Sequence, residues 1–265
     1  VVTDGGEGTS VSQLLSYFES VWSQPENRTI TGKASSQTDA LRERDAFLRS
    51  AYPEAFAAVD WEAETTAVAR VSLFSGSPRA EAKAPELWDA LVRLMAQGDD
   101  VLLQTPYIIC NHKMYDDLEQ LAASRQVRVL TNAVENGANP SGCSDYLREK
   151  QNILSRGLDV YEVICGQSLH TKTILIGDDL SVVGSFNADM RSAYLDTELM
   201  LVIESEAVNA ALRQESETYL AQSRLALHDG GTEYGARFEE TALPWAKRAL
   251  YGVLSVVSRP VRHLL

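Results

Sequence analysis

The chain has 265 residues, 45% of them hydrophobic, so it is long enough to bury a substantial core as one large or two small domains and is not a disordered chain. Its formal net charge of -13 disfavours broad nucleic-acid binding, because affinity for a phosphate backbone comes largely from Lys and Arg. The three cysteines match no metal-site spacing and indicate reduced thiols.

The apolar patterning predicts helices and strands that alternate along the chain. Val1–Thr3 is expected to end a strand, and Thr9 or Ser10 to cap the first helix. The predicted helices span 11–22, 38–52, 85–96, 114–123 and 144–155, with a last one after the cap Ser205. The predicted strands span 69–74, 100–105, 127–130, 160–163, the stretch around His170, 180–183 and 196–203. This alternation favours an α/β layered domain with a mostly parallel or mixed sheet.

Residue types that handle phosphate lie at fixed spacings after position 169. His170 and Lys172 are two residues apart, so on a strand they would point to the same side. Ser185 and Asn187 follow the next apolar run and are neutral groups that can hydrogen-bond phosphate oxygens. One sheet edge would thus carry a nucleophile or acid, a cation and two neutral polar groups, which suits phosphodiester chemistry.

This pattern resembles the HKD signature of the phospholipase D superfamily, His-x-Lys-x4-Asp-x6-Gly-Ser-x-Asn, and it fits without a gap from Lys172 to Gly184. The family's Asp falls on Gly177, and the neighbouring Asp178 is given no role. The resemblance implies a layered α/β sandwich, with a mixed β-sheet flanked by helices, and a phosphohistidine mechanism that needs no metal or other cofactor. Lys172 and Asn187 would then neutralise the phosphate oxygens, and Ser185 would position them.

The resemblance also implies an acidic partner for the motif histidine. Glu198 lies where the family commonly places an acid that hydrogen-bonds this ring, which would favour the protonated imidazole that general acid catalysis requires. Because family members usually place the nucleophilic histidine in the first half of the chain, the resemblance implies that His170 is the acid and base rather than the phosphorylated histidine. The alternative for Glu198 is a solvent-facing residue at a strand end.

The sequence around the motif, at 184–192 and 196–200, resembles that of bacterial cardiolipin synthase-type members. This resemblance implies phosphatidyl transfer between phospholipids. Water as the acceptor would give hydrolysis instead. Family chains usually contain two halves with one HKD motif each, whereas this sequence has a single His-x-Lys. The missing first half, or a second copy of the chain, would complete the site. A homodimeric phosphodiesterase or nuclease, and a catalytically incomplete membrane-binding fragment, are the alternatives.

These considerations predict three parts. Residues 1–63 would be a remnant of the first half with a connector, 64–240 the second phospholipase D-like domain, and 241–265 a membrane-interface segment. The last part has a net charge of +4 and no acid, together with Trp245 and many aliphatic residues. A basic amphipathic helix, ended or kinked by Pro260, suits the anionic cytoplasmic face of a membrane. The alternative is a terminal helix docked on the domain's own core.

Several polar residues near the expected ligand-binding edge are assigned structural roles. Asn132, Asn136 and Asp145 follow the strand 127–130 and are interpreted as turn and cap residues, since Asn and Asp are favoured there. The alternative is that they line the ligand pocket. Tyr107 is expected to be a packing aromatic, with a substrate contact as the alternative.

Overall fold

The computed structural model describes residues 6–30, 32, 37–79, 81 and 83–265, and the strand end predicted at Val1–Thr3 lies outside them. Helices and strands alternate through most of the described chain. The helices are α1 Ser10–Trp22, α2 Thr38–Ala51, α3 Glu86–Met95, α4 His112–Ala122, α5 Pro140–Leu154, α6 Met190–Tyr194, α7 Glu206–Ala221 and α8 Trp245–Val257. The strands are β1 Arg70–Ser75, β2 Asp100–Gln104, β3 Ile108–Ile109, β4 Gln126–Asn132, β5 Asp159–Val163, β6 Thr173–Ile176, β7 Leu180–Gly184, β8 Ala188–Asp189, β9 Leu199–Glu204, β10 Ser223–Ala226 and β11 Thr232–Tyr234.

A nine-stranded mixed sheet occupies the centre of the fold, in the order β1-β9-β7-β6-β2-β4-β5-β10-β11. The neighbours β2, β4 and β5 pair in parallel, and the other neighbours pair antiparallel. The two-residue strands β3 and β8 form a separate parallel pair. The expected α/β fold with a mixed sheet flanked by helices is therefore confirmed.

Side-chain alternation along the central strands divides the core into two layers. On β2, Val101 and Leu103 belong to the larger buried cluster, whereas Leu102 between them belongs to the smaller one. Trp88 of α3 and Met114 of α4 fill the larger layer. Leu212, Tyr219 and Leu220 of α7 cover the smaller one. Helices therefore pack on both faces of the sheet.

Helix caps follow the sequence signals. The Thr9 hydroxyl accepts a hydrogen bond from the Ser12 amide at 3.3 Å, so Thr9 rather than Ser10 caps α1. Ser205 caps α7 in the same way. The elements missed by the patterning, β3, β8, β10, β11 and α6, have two to five residues each. Such short segments carry too few residues for a periodicity to show.

The C-terminal segment is docked on the domain along one face, as the alternative interpretation expected, and is exposed along the other. Tyr251 of α8 is buried against α5, and its hydroxyl donates to the Val134 carbonyl at 3.4 Å. Arg262 donates to both carboxylate oxygens of Asp145, at 2.8 and 3.0 Å. A 3-10 helix, Arg259–Leu264, follows α8, so Pro260 marks the end of the α-helix. No helix in the described ranges has the length and apolarity to cross a bilayer.

Gly184, at the end of β7, allows the motif region to approach β9 closely. A Cβ built there would collide with the Leu199 carbonyl oxygen and would lie 2.8 Å from the Met200 Cα. The next residue, Ser185, donates its amide to the same carbonyl at 3.0 Å. A side chain at position 184 would therefore separate β7 from β9 just before the site.

Gly184→Ala should lower the free energy of unfolding by about 2 kcal/mol or more, because the neighbouring backbone must move to admit the methyl group. Gly252→Ala is the matched control: it lies in α8 with no heavy atom near its added Cβ, and should raise stability by about 0.5–1 kcal/mol. Urea denaturation of both variants measures the difference. Equal free energies of unfolding for the two variants would show that the contact between β7 and β9 at Gly184 can admit a side chain without cost.

Candidate active site

His170 lies on the segment between β5 and β6, and the side chain of Asn132 holds this segment in place. Asn132, the last residue of β4, donates to the carbonyls of Pro106 and Leu169 at 2.9 and 2.8 Å. Its side-chain oxygen accepts from the Leu169 amide at 2.8 Å. The expectation of a simple turn residue is therefore wrong, because one buried amide joins three segments next to His170.

His170 and Lys172 come together as the two-residue spacing predicted. The Lys172 Nζ atom lies 3.1 Å from the His170 Nδ1 atom and donates to the His170 carbonyl at 2.9 Å. Both residues precede the first residue of β6, and the Gly184 amide donates to the Lys172 carbonyl at 3.2 Å. This hydrogen bond continues the β6–β7 pairing by one residue. The predicted strand around His170 therefore begins only at Thr173, although the two side chains still meet.

Desolvation and charge act together on this pair. Partial burial, and then the Lys172 ammonium, lower the pKa of His170 below its ordinary value of 6.5. Burial also lowers the pKa of Lys172, while the charges of Glu198 and Asp189 oppose that shift. His170 thus favours the neutral imidazole, which can act as a nucleophile or accept a proton.

Glu198 does not make the contact predicted for it. In the described part of the chain no hydrogen bond joins its carboxylate to His170; the carboxylate instead accepts from the hydroxyls of Ser185 and Ser192, the latter at 2.8 Å. Glu198 is buried, so the solvent-facing alternative is wrong as well. Burial raises its pKa, and the two hydroxyl donors limit the rise. The position of the acid immediately before β9 directs it to Ser185 and Ser192 rather than to the imidazole.

Ser185 is bound within the protein on both sides of its hydroxyl. It donates to Glu198 and accepts from the Leu199 amide at 3.1 Å. Asn187 is more available: its Nδ2 atom donates to the Tyr107 hydroxyl at 3.4 Å, while its buried Oδ1 atom has no hydrogen-bond partner. Of the two neutral motif residues, Asn187 is therefore the one with capacity for a further partner.

A cavity of about 250 Å³ opens beside His170. Tyr107, Asn132 and Ser168 line it together with the start of α5, through the N-cap Asn139 and through Cys143 in the first turns. Its walls carry hydroxyls, amides and aromatic rings, and His170 is the only ionisable nitrogen among the lining residues. Tyr107 has a role beyond the expected packing, because its ring forms part of the cavity wall and its hydroxyl accepts a hydrogen bond from Asn187.

The sequence reasoning assigned no role to Asp189, which lies two residues after Asn187. This residue is buried, caps α6 and accepts from the Ser192 amide at 2.6 Å. Burial raises its pKa to about 7. Its charge acts on Lys172, so Asp189 belongs to the electrostatic surroundings of the motif cation. The sequence signal that could have identified Asp189 is its position as the N-cap of the short helix α6.

Gly177, where the signature has an acid, forms the turn at the far end of β6. It adopts a φ of +53°, a conformation that favours glycine. Arg213 donates to its carbonyl at 2.7 Å and forms an ion pair with Asp100 at 2.8 Å. Asp178 is exposed at this turn, away from His170. The turn is thus held by the Arg213–Asp100 pair, and giving Asp178 no role agrees with its position.

Comparisons with known proteins agree with this fold. The solved structure of phosphatidylserine synthase from Haemophilus influenzae Rd KW20 superposes with a TM-score of 0.58 at 15% identity, covering 96% of this chain and 61% of that one. This likeness establishes the fold. The sequence matches below show that residues 91–220, just under half of the chain, resemble a phospholipase D-like domain.

Residues 91–220 match the family described as "Cardiolipin synthase, PLD-like domain". Cardiolipin synthase A from Yersinia pseudotuberculosis serotype O:1b (strain IP 31758) is 30% identical over 142 residues. The same protein from Yersinia pestis bv. Antiqua (strain Angola) matches to the same extent. Each match covers 53% of this chain and 28% of the relative. The chain therefore spans little more than a quarter of the length of these relatives.

Lys172→Met should raise the pKa of His170, because it removes the adjacent positive charge while keeping a side chain of similar length. Lys247→Met is the control, since Lys247 is exposed on α8. NMR titration of the imidazole signals, assigned with His170→Ala, measures the effect. An unchanged or lower pKa in Lys172→Met would contradict the electrostatic interpretation of the pair.

Asp189→Asn should weaken the pH dependence of stability. The native pKa is raised from 3.8 to about 7, so the folded state binds this proton more tightly, and stability falls as the pH rises through that window. Asn is the substitution of choice because it also caps helices. Between about pH 5 and pH 8 the free energy of unfolding should fall by roughly 2 kcal/mol less in the variant than in the unchanged protein. Denaturation at both pH values tests this, and a parallel loss in both proteins would exclude Asp189 as its source.

Proposed function

We propose that this chain contributes a phospholipase D-type active site that acts on phospholipids as a phosphatidyltransferase or phosphodiesterase. The observation that carries the proposal is His170, which lines a cavity and contacts Lys172, in a domain similar to those of cardiolipin synthases. An imidazole, a cation and the Asn187 amide supply the groups that phosphodiester cleavage requires.

The proposed chemistry uses two histidines and proceeds in two steps. One imidazole nitrogen attacks phosphorus, a P–N bond forms, and the P–O bond to the leaving alcohol breaks as the other histidine donates a proton to that oxygen. The hydroxyl of an acceptor then attacks phosphorus, the P–N bond breaks, and the second histidine takes the proton. A lipid alcohol as acceptor gives transfer, and water gives hydrolysis.

His170 is proposed as the acid and base of this scheme. Its lowered pKa suits the acceptor step, in which a neutral imidazole takes the proton. A bound phosphodiester would place a negative charge next to Lys172 and raise the pKa of the ring, as the leaving-group step needs. The anionic substrate would thereby replace the carboxylate that the sequence placed beside His170.

The remaining motif residues divide into substrate-binding and positioning groups. Lys172 and Asn187 would bind the non-bridging phosphate oxygens, because Lys172 carries a positive charge and the Asn187 amino group, which donates to Tyr107 at 3.4 Å, has a second N–H to donate. Ser185 and Glu198 bind each other, so we propose that they position the turn that carries Asn187. Glu198 also acts on Lys172 by its charge.

We further propose that this site is one of two. The sequence has a single His-x-Lys, and the two-step scheme needs a second histidine. A first half-site preceding this region would provide it, and a second copy of the chain is the alternative source. Because the substrates are membrane lipids, the protein would work peripherally at an anionic membrane surface on the cytoplasmic side.

The 265-residue chain as a confirmed monomer should turn over phosphatidylglycerol at least about a hundredfold more slowly than the same chain extended by a preceding HKD half, since a freely diffusing group cannot match the effective concentration of a positioned one. The measurement is release of glycerol and formation of a two-phosphate lipid. Activity of the extended protein should be lost in His170→Ala.

His228→Ala is the matched control, because His228 lies in the exposed β10–β11 turn away from the motif, and it should retain activity. Strong His170-dependent turnover by the monomer would contradict the half-site proposal. Absence of lipid turnover in the extended protein, together with cleavage of a DNA substrate that His170→Ala abolishes, would favour the nuclease alternative.

A further inference from the structure

The outward face of α8 is apolar and has no partner in the described structure. Trp245, Val253, Val256 and Val257 lie on it, and each is between 60% and 82% exposed. Their spacing places them on one side of the helix, opposite the buried Tyr251. Leu250, Val261 and Leu264 extend this surface, which we call the α8 outer face. A contiguous apolar surface of this kind on a protein marks an interaction site.

Positive charge accompanies the α8 outer face. Lys247, Arg248 and Arg259 are exposed, and no ion pair within the described ranges includes them. The segment 241–265 has a net charge of +4 on a chain of -13, so the cations are concentrated here. Apolar side chains beside unpaired cations match a lipid surface that has anionic headgroups over an acyl layer.

The opposite face of α8 is held rigidly to the domain. Arg148 of α5 donates to the Ser255 carbonyl at 3.0 Å, and Arg262 holds the fully buried Asp145. Tyr251 packs beside Cys143 of α5. Residues from the first turns of α5, including Cys143, also line the cavity next to His170. One helix therefore connects the α8 outer face to the wall of the candidate site.

We propose that the α8 outer face docks on an anionic bilayer surface and thereby fixes the orientation of the His170 cavity relative to the membrane. This inference deepens the proposed function, because it rests on a phospholipid substrate. A second copy of the chain is a poorer occupant, since a two-fold contact between α8 outer faces would bring their unpaired cations together. Docking through α8 would leave the cavity in a constant position while lipids exchange.

The first test is co-sedimentation of the 265-residue chain with vesicles of phosphatidylcholine, with and without phosphatidylglycerol. Binding should require phosphatidylglycerol. Val256→Asp should weaken it about tenfold or more, because a carboxylate would enter the acyl boundary. Val59→Asp, the same substitution at an exposed residue outside the α8 outer face, should bind like the unchanged chain.

Charge reversal forms a second pair of variants. Arg248→Glu with Arg259→Glu should weaken binding about tenfold or more, since each basic residue near an anionic surface contributes to attraction. Arg28→Glu with Arg79→Glu makes the same change in net charge at exposed positions elsewhere and should have little effect. Equal binding of both double variants, or equal binding to vesicles without phosphatidylglycerol, would overturn the proposal.

Two further measurements separate docking from folding and from catalysis. The melting temperature measured by circular dichroism should be the same for Val256→Asp and Val59→Asp, which shows that both variants fold. A concentration-dependent dimer that Val256→Asp abolishes would show that a second copy of the chain binds this face, and would overturn the proposal. In the protein extended by a preceding HKD half, Val256→Asp should lower turnover of vesicle lipid but not of a soluble short-chain phosphatidylglycerol. Intact vesicle binding without any turnover would count against the proposed function alone.

Discussion

The site depends on the side-chain amide of Asn132. Its hydrogen bonds to Leu169 and Pro106 join the end of β4 to the segment before β6 and to the segment after β2. A buried amide with satisfied partners is costly to remove, because each freed backbone group would lose its bond away from water. Asn132 thereby fixes the backbone of Leu169 on both its amide and its carbonyl, directly before His170 at the cavity.

Several ionisable groups act together on the electrostatics of the motif residues His170 and Lys172. Lys172 lies against the imidazole of His170, and the charges of the buried carboxyl groups of Glu198 and Asp189 also act on it. Each carboxyl group is held by hydroxyl or amide donors, which limit the rise in its pKa that burial causes. The ammonium thereby lies beside the imidazole that lines the cavity. An anion bound there would interact with both groups.

The helix α5 has two structural roles. Its first turns form a wall of the cavity, and its side chains hold α8 through Arg148 and through the buried Asp145. Burying the Asp145 carboxylate is tolerable because Arg148 and Arg262 both pair with it. Loss of either arginine alone would leave a partly unpaired buried charge and weaken the support of α8. The membrane segment predicted from the sequence is thus an integral layer of the domain along one face.

The sequence by itself determined the alternation of helices and strands, a cap at Thr9 or Ser10, the cap Ser205, and the common side of His170 and Lys172. These features are local, since they follow from residue periodicity and from hydrogen bonds within a few residues. The partners of Glu198, the anchoring role of Asn132 and the docked face of α8 were decided only by the tertiary structure. They join residues distant in sequence, such as Asn132 with Leu169 and Asp145 with Arg262. Which distant groups come into contact depends on the order of the strands in the sheet. The hydrophobic pattern of a single strand does not determine which strands lie beside it.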